Sequence, residues 1–273
     1  MKVRAISAIV ALLLLAFVFY QWRIQGLYGI CAFAILVSNL EYSKLTFARF
    51  EAPIHLRASF VFFSLILCFI TLAFTEHAIR AASIISILFL SMVLFTVRAH
   101  ADLTRVLQLQ NSGLMGFFYC GIFPALCLKL LSFENGAIWF FGLLAIVFSG
   151  DTFAYLTGRL FGKNKLLEAV SPKKTIEGSI GGLFGSAVAG TVLNHFFFPE
   201  LPLWQMVAVA VVTGGFAQIG DLFESLLKRL ADVKDSGSIM PGHGGVLDRL
   251  DGVLFGAPVF YALILALIES VPN

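Results

Sequence analysis

Charge is what this sequence has least of. Asp, Glu, Lys and Arg make up 13% of its 273 residues, against about 25% in a soluble domain. A chain so poor in charge is not a soluble globular enzyme, a disordered segment or a nucleic-acid binder. Tyrosine is short too, with six Tyr beside 29 Phe. Lipid produces that bias, because a buried phenol needs a hydrogen-bond partner and a phenyl ring does not. Cysteine is sparse and scattered. Cys31, Cys68, Cys120 and Cys127 lie inside apolar runs, with no CxxC pair and no adjacent His. They read as small packing residues and not as a zinc or redox site. Apolar residues are what the chain does have: 59% of the total, with a mean hydropathy of +0.92.

The apolar residues form nine continuous stretches, over 3–20, 26–40, 58–75, 81–97, 113–131, 136–156, 179–198, 203–220 and 252–271. At about 20 residues per span, they predict an all-α, polytopic integral membrane protein of about nine transmembrane helices. Continuous rather than alternating runs exclude a β-barrel. The first stretch follows Lys2 and Arg4, as in a signal peptide. Gln21-Trp22-Arg23 stands where a small-residue cleavage site would be, so the stretch reads as a retained helix. With a cytoplasmic N-terminus, only Arg23, Arg80 and Lys129 of the 19 Lys and Arg fall outside, as the positive-inside rule requires.

The chain then divides in two. Residues 1–132 are a scaffold of membrane helices with chemically plain loops. Residues 133–273 carry two long cytoplasmic segments, 157–178 and 221–251. Ten of the 16 acidic residues lie between Asp151 and Asp251, and function concentrates in loops held on a rigid scaffold. Chemistry is therefore expected in the second part.

Asp221 ends an apolar run, and at helical spacing it shares a face with Ser225 and Lys228. A carboxylate near membrane depth is paired or functional. Asp248 and Asp251 stand i, i+3 before the last span. Two carboxylates so close tolerate each other when a cation lies between them, or when Arg249 neutralises them. A hard cation such as Mg²⁺ takes carboxylate oxygens and binds phosphate. Between these acids, Lys234 and Asp235 lead into Pro241-Gly242-His243-Gly244-Gly245. Its glycines let the backbone approach a ligand closely, either as a phosphate-cradling nest or as a flexible surface turn. Ser171-Pro172-Lys173-Lys174-Thr175-Ile176-Glu177-Gly178 sets two Lys beside two hydroxyls. That suits a polyphosphate or marks topology. Asp151, late in the sixth stretch, echoes Asp221: each follows a Gly and precedes an Arg by eight residues (Arg159, Arg229).

Taken together, these pieces form a pattern with fixed gaps over residues 225–251: Ser225, Leu227-Lys228-Arg229, Lys234-Asp235, Gly237, Pro241, His243-Gly244-Gly245-Val246 and Asp248-Arg249-Leu250-Asp251. The pattern resembles the signature of phosphatidate cytidylyltransferases, also called CDP-diacylglycerol synthases. The block from Ser171 to Gly178, Gly150-Asp151 and Gly220-Asp221 resemble further blocks of that family. The first 130 or so residues match only as hydrophobic spans. Met240 stands where the family more often has Leu or Ile, a change of similar volume.

The resemblance implies that CTP and phosphatidic acid give CDP-diacylglycerol and pyrophosphate. It also implies Mg²⁺ dependence, with K⁺ as a second cation, and a homodimer. Asp221, Asp248 and Asp251 are the expected metal carboxylates. Asp221, Asp248, Lys228, Arg249 and His243 are the expected catalytic set. Ser171, Lys173, Lys174, Thr175, Glu177, Ser225, Arg229, Lys234, Asp235, Gly242, Gly244, Gly245 and Asp151 are expected at the substrates. CTP is water-soluble and phosphatidate is a lipid, so the expected site faces the cytoplasm at a bacterial inner membrane. The rival readings are a CTP-dependent polyprenol or phytol kinase, a CDP-alcohol phosphotransferase and a transporter. A transporter would line a path across the bilayer with polar groups, whereas here they gather at one surface.

Overall fold

The computed structural model describes residues 2–97, 103–239 and 244–270. It is helical almost throughout: α1 (Lys2–Phe47), α2 (Ile54–Ala73), α3 (Ala78–Val97), α4 (Leu103–Gly116), α5 (Phe123–Lys129), α6 (Gly136–Phe161), α7 (Ile176–Phe197), α8 (Leu203–Leu230) and α9 (Leu247–Ser270). Eight helices among the described residues are long and apolar enough to cross a membrane. The first two expected stretches both lie in α1, which leaves helical geometry at Arg23 (φ 51°, ψ −135°). The stretch over 113–131 joins α4 to α5 through a π-helical turn, Phe117–Ile122. One element is not helical. Lys165–Leu167 (β1) and Ser171–Thr175 (β2) pair as an antiparallel hairpin inside the segment expected as a loop.

Two compact units emerge: residues Met1–Leu128 with Leu230–Arg249, and residues Lys129–Arg229 with Leu250–Asn273. The segment joining α8 to α9 therefore clusters with the N-terminal helices.

The first unit is organised by aromatic rings. Phe60 is fully buried and meets Tyr42, Phe47 and Phe117 with ring centroids 5.5, 5.0 and 5.4 Å away. The Tyr42 hydroxyl donates to the Ser112 carbonyl at 2.8 Å, and the buried Asn39 amide donates to the Cys120 carbonyl in the π-helical turn at 3.0 Å. Each such anchor fixes the rotation of α1 about its own axis.

The second unit is organised by small residues. A side chain at Gly150 would meet Ser186 Oγ at 2.7 Å, and one at Gly142 would meet Leu193 at 2.7 Å. Small residues let α6 and α7 approach backbone to backbone, which is how helices associate where water gives no drive. Ser149 and Ser186 hydroxyls donate across the seam to the Gly185 and Ile146 carbonyls at 2.9 and 3.1 Å. α8 joins at Gln218, whose amide donates to the Ser179 carbonyl at 3.1 Å. α9 lies so close to α8 that a side chain at Gly220 would collide with the Asp251 carbonyl.

Candidate active site

In the second unit the site is built on α8 and the hairpin. Asp221 lies on α8 inside an apolar helix and needs a partner; Lys174 supplies it, Nζ to Oδ2 at 2.5 Å. Ser225, one turn on, donates to Asp221 Oδ1 at 3.4 Å. Asp251 on α9 lies within electrostatic reach of Asp221, Asp151 and Lys228. Three expected carboxylates thus share one region with two ammonium groups. Lys228 pairs with Glu224 one turn before it, and Glu224 is fully buried. Glu224 is absent from the sequence expectations; its i, i+4 spacing to Lys228 was the available signal.

The hairpin is held at both ends. Thr175 is the N-cap of α7, accepting from the Gly178 N–H at 3.1 Å. Glu177 accepts from the Lys163 N–H at 3.1 Å and the Asn164 side-chain amide at 2.7 Å. The Val170 carbonyl accepts from Arg229 Nε on α8 at 3.3 Å. Thr175, Glu177 and Arg229, expected at substrate, all make these framework contacts. Lys173 and Lys174 are adjacent in a strand and so point to opposite sides. Lys174 turns to Asp221 and Lys173 is exposed. Ser171 begins β2 half-buried, and Asp151 is exposed on α6.

In the first unit the site is the loop that enters α9. Asp248 is 8% exposed, and its Oδ2 accepts from the Ser236 N–H (2.8 Å), the Ser236 hydroxyl (2.9 Å) and the Gly245 N–H (2.7 Å). The Gly245 N–H, expected to face a phosphate, is thus directed to a carboxylate of the chain itself. Gly244 has φ +81°, a conformation that suits glycine, and a side chain there would meet Asp248 Oδ2 at 2.5 Å. Lys234, Asp235 and Arg249 are exposed. Gly242 and His243 lie outside the described residues.

Glu41, in the part expected to be chemically plain, closes this loop. It is 4% exposed, and its carboxylate accepts from the Leu247 N–H (2.8 Å), the Val246 N–H (3.2 Å) and the Ser236 hydroxyl (3.3 Å). Its signal in the sequence was a lone Glu at the end of an apolar run.

The donor set is all hard oxygen, which fits Mg²⁺ rather than a softer metal. No three His, Cys, Asp or Glu among the described residues stand close enough to hold a metal. Mg²⁺ does not require three: one or two carboxylates suffice when substrate phosphates and water complete its shell.

Fold and site together define a polytopic helical membrane protein with an acidic and basic cluster suited to phosphate chemistry. The chain belongs to the cytidylyltransferase family, which it matches over residues 2–267, and it is a nucleotidyltransferase. It is 31% identical over 269 residues to a phosphatidate cytidylyltransferase of Staphylococcus haemolyticus (97% of this chain, 99% of the relative). It is 32% identical over 271 residues to that of Staphylococcus aureus strain COL, with the same coverage. A Staphylococcus saprophyticus phosphatidate cytidylyltransferase is 44% identical over 120 residues, covering 44% of this chain and 46% of the relative.

Proposed function

We propose that this protein transfers a cytidylyl group from CTP to phosphatidic acid, giving CDP-diacylglycerol and pyrophosphate. The observation that carries this reading is the similarity to phosphatidate cytidylyltransferases over 97% of the chain. A phosphate oxygen of phosphatidate attacks the α-phosphorus of CTP, and the bond to the β-phosphate oxygen breaks as pyrophosphate leaves. A phosphate monoester dianion is already nucleophilic, so no strong base is needed. The task of the protein is to bring two polyanions together and hold them in line.

Lys173 is exposed and free to meet a phosphate; Lys174 and Lys228 already stand beside carboxylates and would exchange them for substrate phosphate. Ser225, Arg249, Lys234 and Asp235 lie on the same polar segments, and Gly244 and Gly245 shape the turn before α9. Within the second unit, Asp221 and Asp251 are carboxylates that would bind Mg²⁺; within the first, taken by itself, Asp248 is such a carboxylate. When bound, Mg²⁺ neutralises phosphate charge and orients the reacting oxygens. The segregation of Lys and Arg supports a cytoplasmic site at a bacterial inner membrane.

The test is a detergent-micelle assay with phosphatidate and cytidine-labelled CTP, with and without Mg²⁺. The expected result is label in the lipid phase with Mg²⁺-dependent release of pyrophosphate. Label left in water as CDP, with a lipid alcohol phosphorylated, overturns the reading in favour of a kinase.

A further inference from the structure

We infer that Glu41 is a positioning residue for Asp248, acting through the loop that enters α9. The inference rests on the proposed role of Asp248 as an Mg²⁺ carboxylate.

Three observations carry it. First, both oxygens of the buried Glu41 carboxylate are used, Oε1 by the Val246 N–H and Oε2 by the Leu247 N–H and the Ser236 hydroxyl. Those N–H groups begin α9, where helical N–H groups lack carbonyl partners and the helix dipole favours an anion. Glu41 therefore caps the helix that carries Asp248, from a residue 206 positions away in the chain. Second, the Ser236 hydroxyl lies between the two carboxylates, 3.3 Å from Glu41 and 2.9 Å from Asp248. Displacing one carboxylate changes the hydrogen bonding of the other. Third, the loop is shaped around Glu41: side chains at Gly237 or Gly245 would overlap its carboxylate. Glu41 is itself fixed by the next residue, Tyr42, which is fully buried in the aromatic core.

The substitution Glu41→Gln keeps size and shape. It places an NH₂ donor against an N–H or O–H donor in either amide orientation, because both positions now accept. A space-filling role would tolerate it; a positioning role would not. The experiment measures, on the full-length protein in micelles, the Mg²⁺ dependence of turnover and the hydrogen exchange of residues 244–250.

Loss of a partner behind a metal ligand costs about 10–100-fold in metal affinity or activity. The expected result for Glu41→Gln is a half-saturating Mg²⁺ concentration raised within that range, with faster exchange at Gly245, Val246 and Leu247. Wild-type values for both measurements overturn the inference. Faster exchange with an unchanged Mg²⁺ requirement also overturns it, since Glu41 would then hold the loop without acting through Asp248.

Should Glu41→Gln not insert, Ser236→Ala removes the hydroxyl between the carboxylates and leaves the backbone donors. It is expected to shift the Mg²⁺ requirement in the same direction, and no shift overturns the inference. A wild-type protein inactive with CTP and phosphatidate sinks the proposed reaction instead, and the exchange measurement still decides whether Glu41 holds the loop.

Discussion

Asp221 and Lys174 form a pair whose side chains are 34% and 26% exposed. A pair so open adds at most about 1 kcal/mol to stability, so its removal should register in binding more than in folding. Lys174→Ala is expected to raise KM for CTP or phosphatidate by about tenfold or more, the scale of a lost charge-assisted hydrogen bond, with thermal stability nearly unchanged. Steady-state kinetics beside a melting curve in the same detergent check this; unchanged KM for both substrates returns Lys174 to a structural partner of Asp221. Asp248 differs, because it is buried under three donors. Asp248→Asn is expected to insert in membranes and to lose about 100-fold or more in turnover, as when a charge-stabilising group is removed from a reacting centre. Activity within a few-fold of wild type sinks the assignment.

At the scale of elements, the hairpin and the α9 entry loop are the parts the periodicity of the chain does not predict. β1 and β2 have three and five residues between two long helices, too few for a pattern to register. They persist because Glu177, Thr175 and Arg229 tie them to α7 and α8. Glu177→Ala removes the acceptor for the N–H groups of Lys163 and Asn164. It is expected to increase tryptic cleavage after Lys163 and Lys165 without loss of the membrane helices by circular dichroism; an unchanged digest overturns the claim that Glu177 holds the hairpin. In the entry loop, Gly245→Ala would press a methyl group against Ser236 and Glu41. Overpacking of that kind costs about 1–3 kcal/mol and should lower the melting temperature, which differential scanning fluorimetry reads.

At the scale of the whole molecule, the basic residues predict the orientation. Ser238 is exposed in the segment joining α8 to α9, while Cys68, Cys120 and Cys127 are buried and Cys31 is half-buried. Ser238→Cys is therefore expected to react with a membrane-impermeant maleimide in inverted inner-membrane vesicles and not in right-side-out ones. The reverse pattern would place the loop, and with it Asp248, on the outer face.

Composition and the continuity of the apolar runs determined that this chain is a helical membrane protein: a solvent that offers no hydrogen bonds leaves only helices or closed barrels, and unbroken apolar runs exclude the barrel. Local spacing was enough to mark Asp221, Asp248, Asp251 and the two lysines, since chemistry in an apolar chain stands out wherever charge gathers. Tertiary structure alone decided the partners. Lys173 and Lys174 read as one basic pair, yet the alternation of a strand sends only Lys174 to Asp221. Gly245 read as part of a phosphate nest, yet its N–H serves Asp248. Glu41, just past the apolar stretch 26–40, drew no assignment from the sequence, yet it caps the helix of Asp248 from 206 residues away. Such contacts depend on how helices rotate about their axes, and that rotation is set by the ring cluster around Phe60 and the glycine seam of α6 and α7, long-range packing that no local pattern encodes.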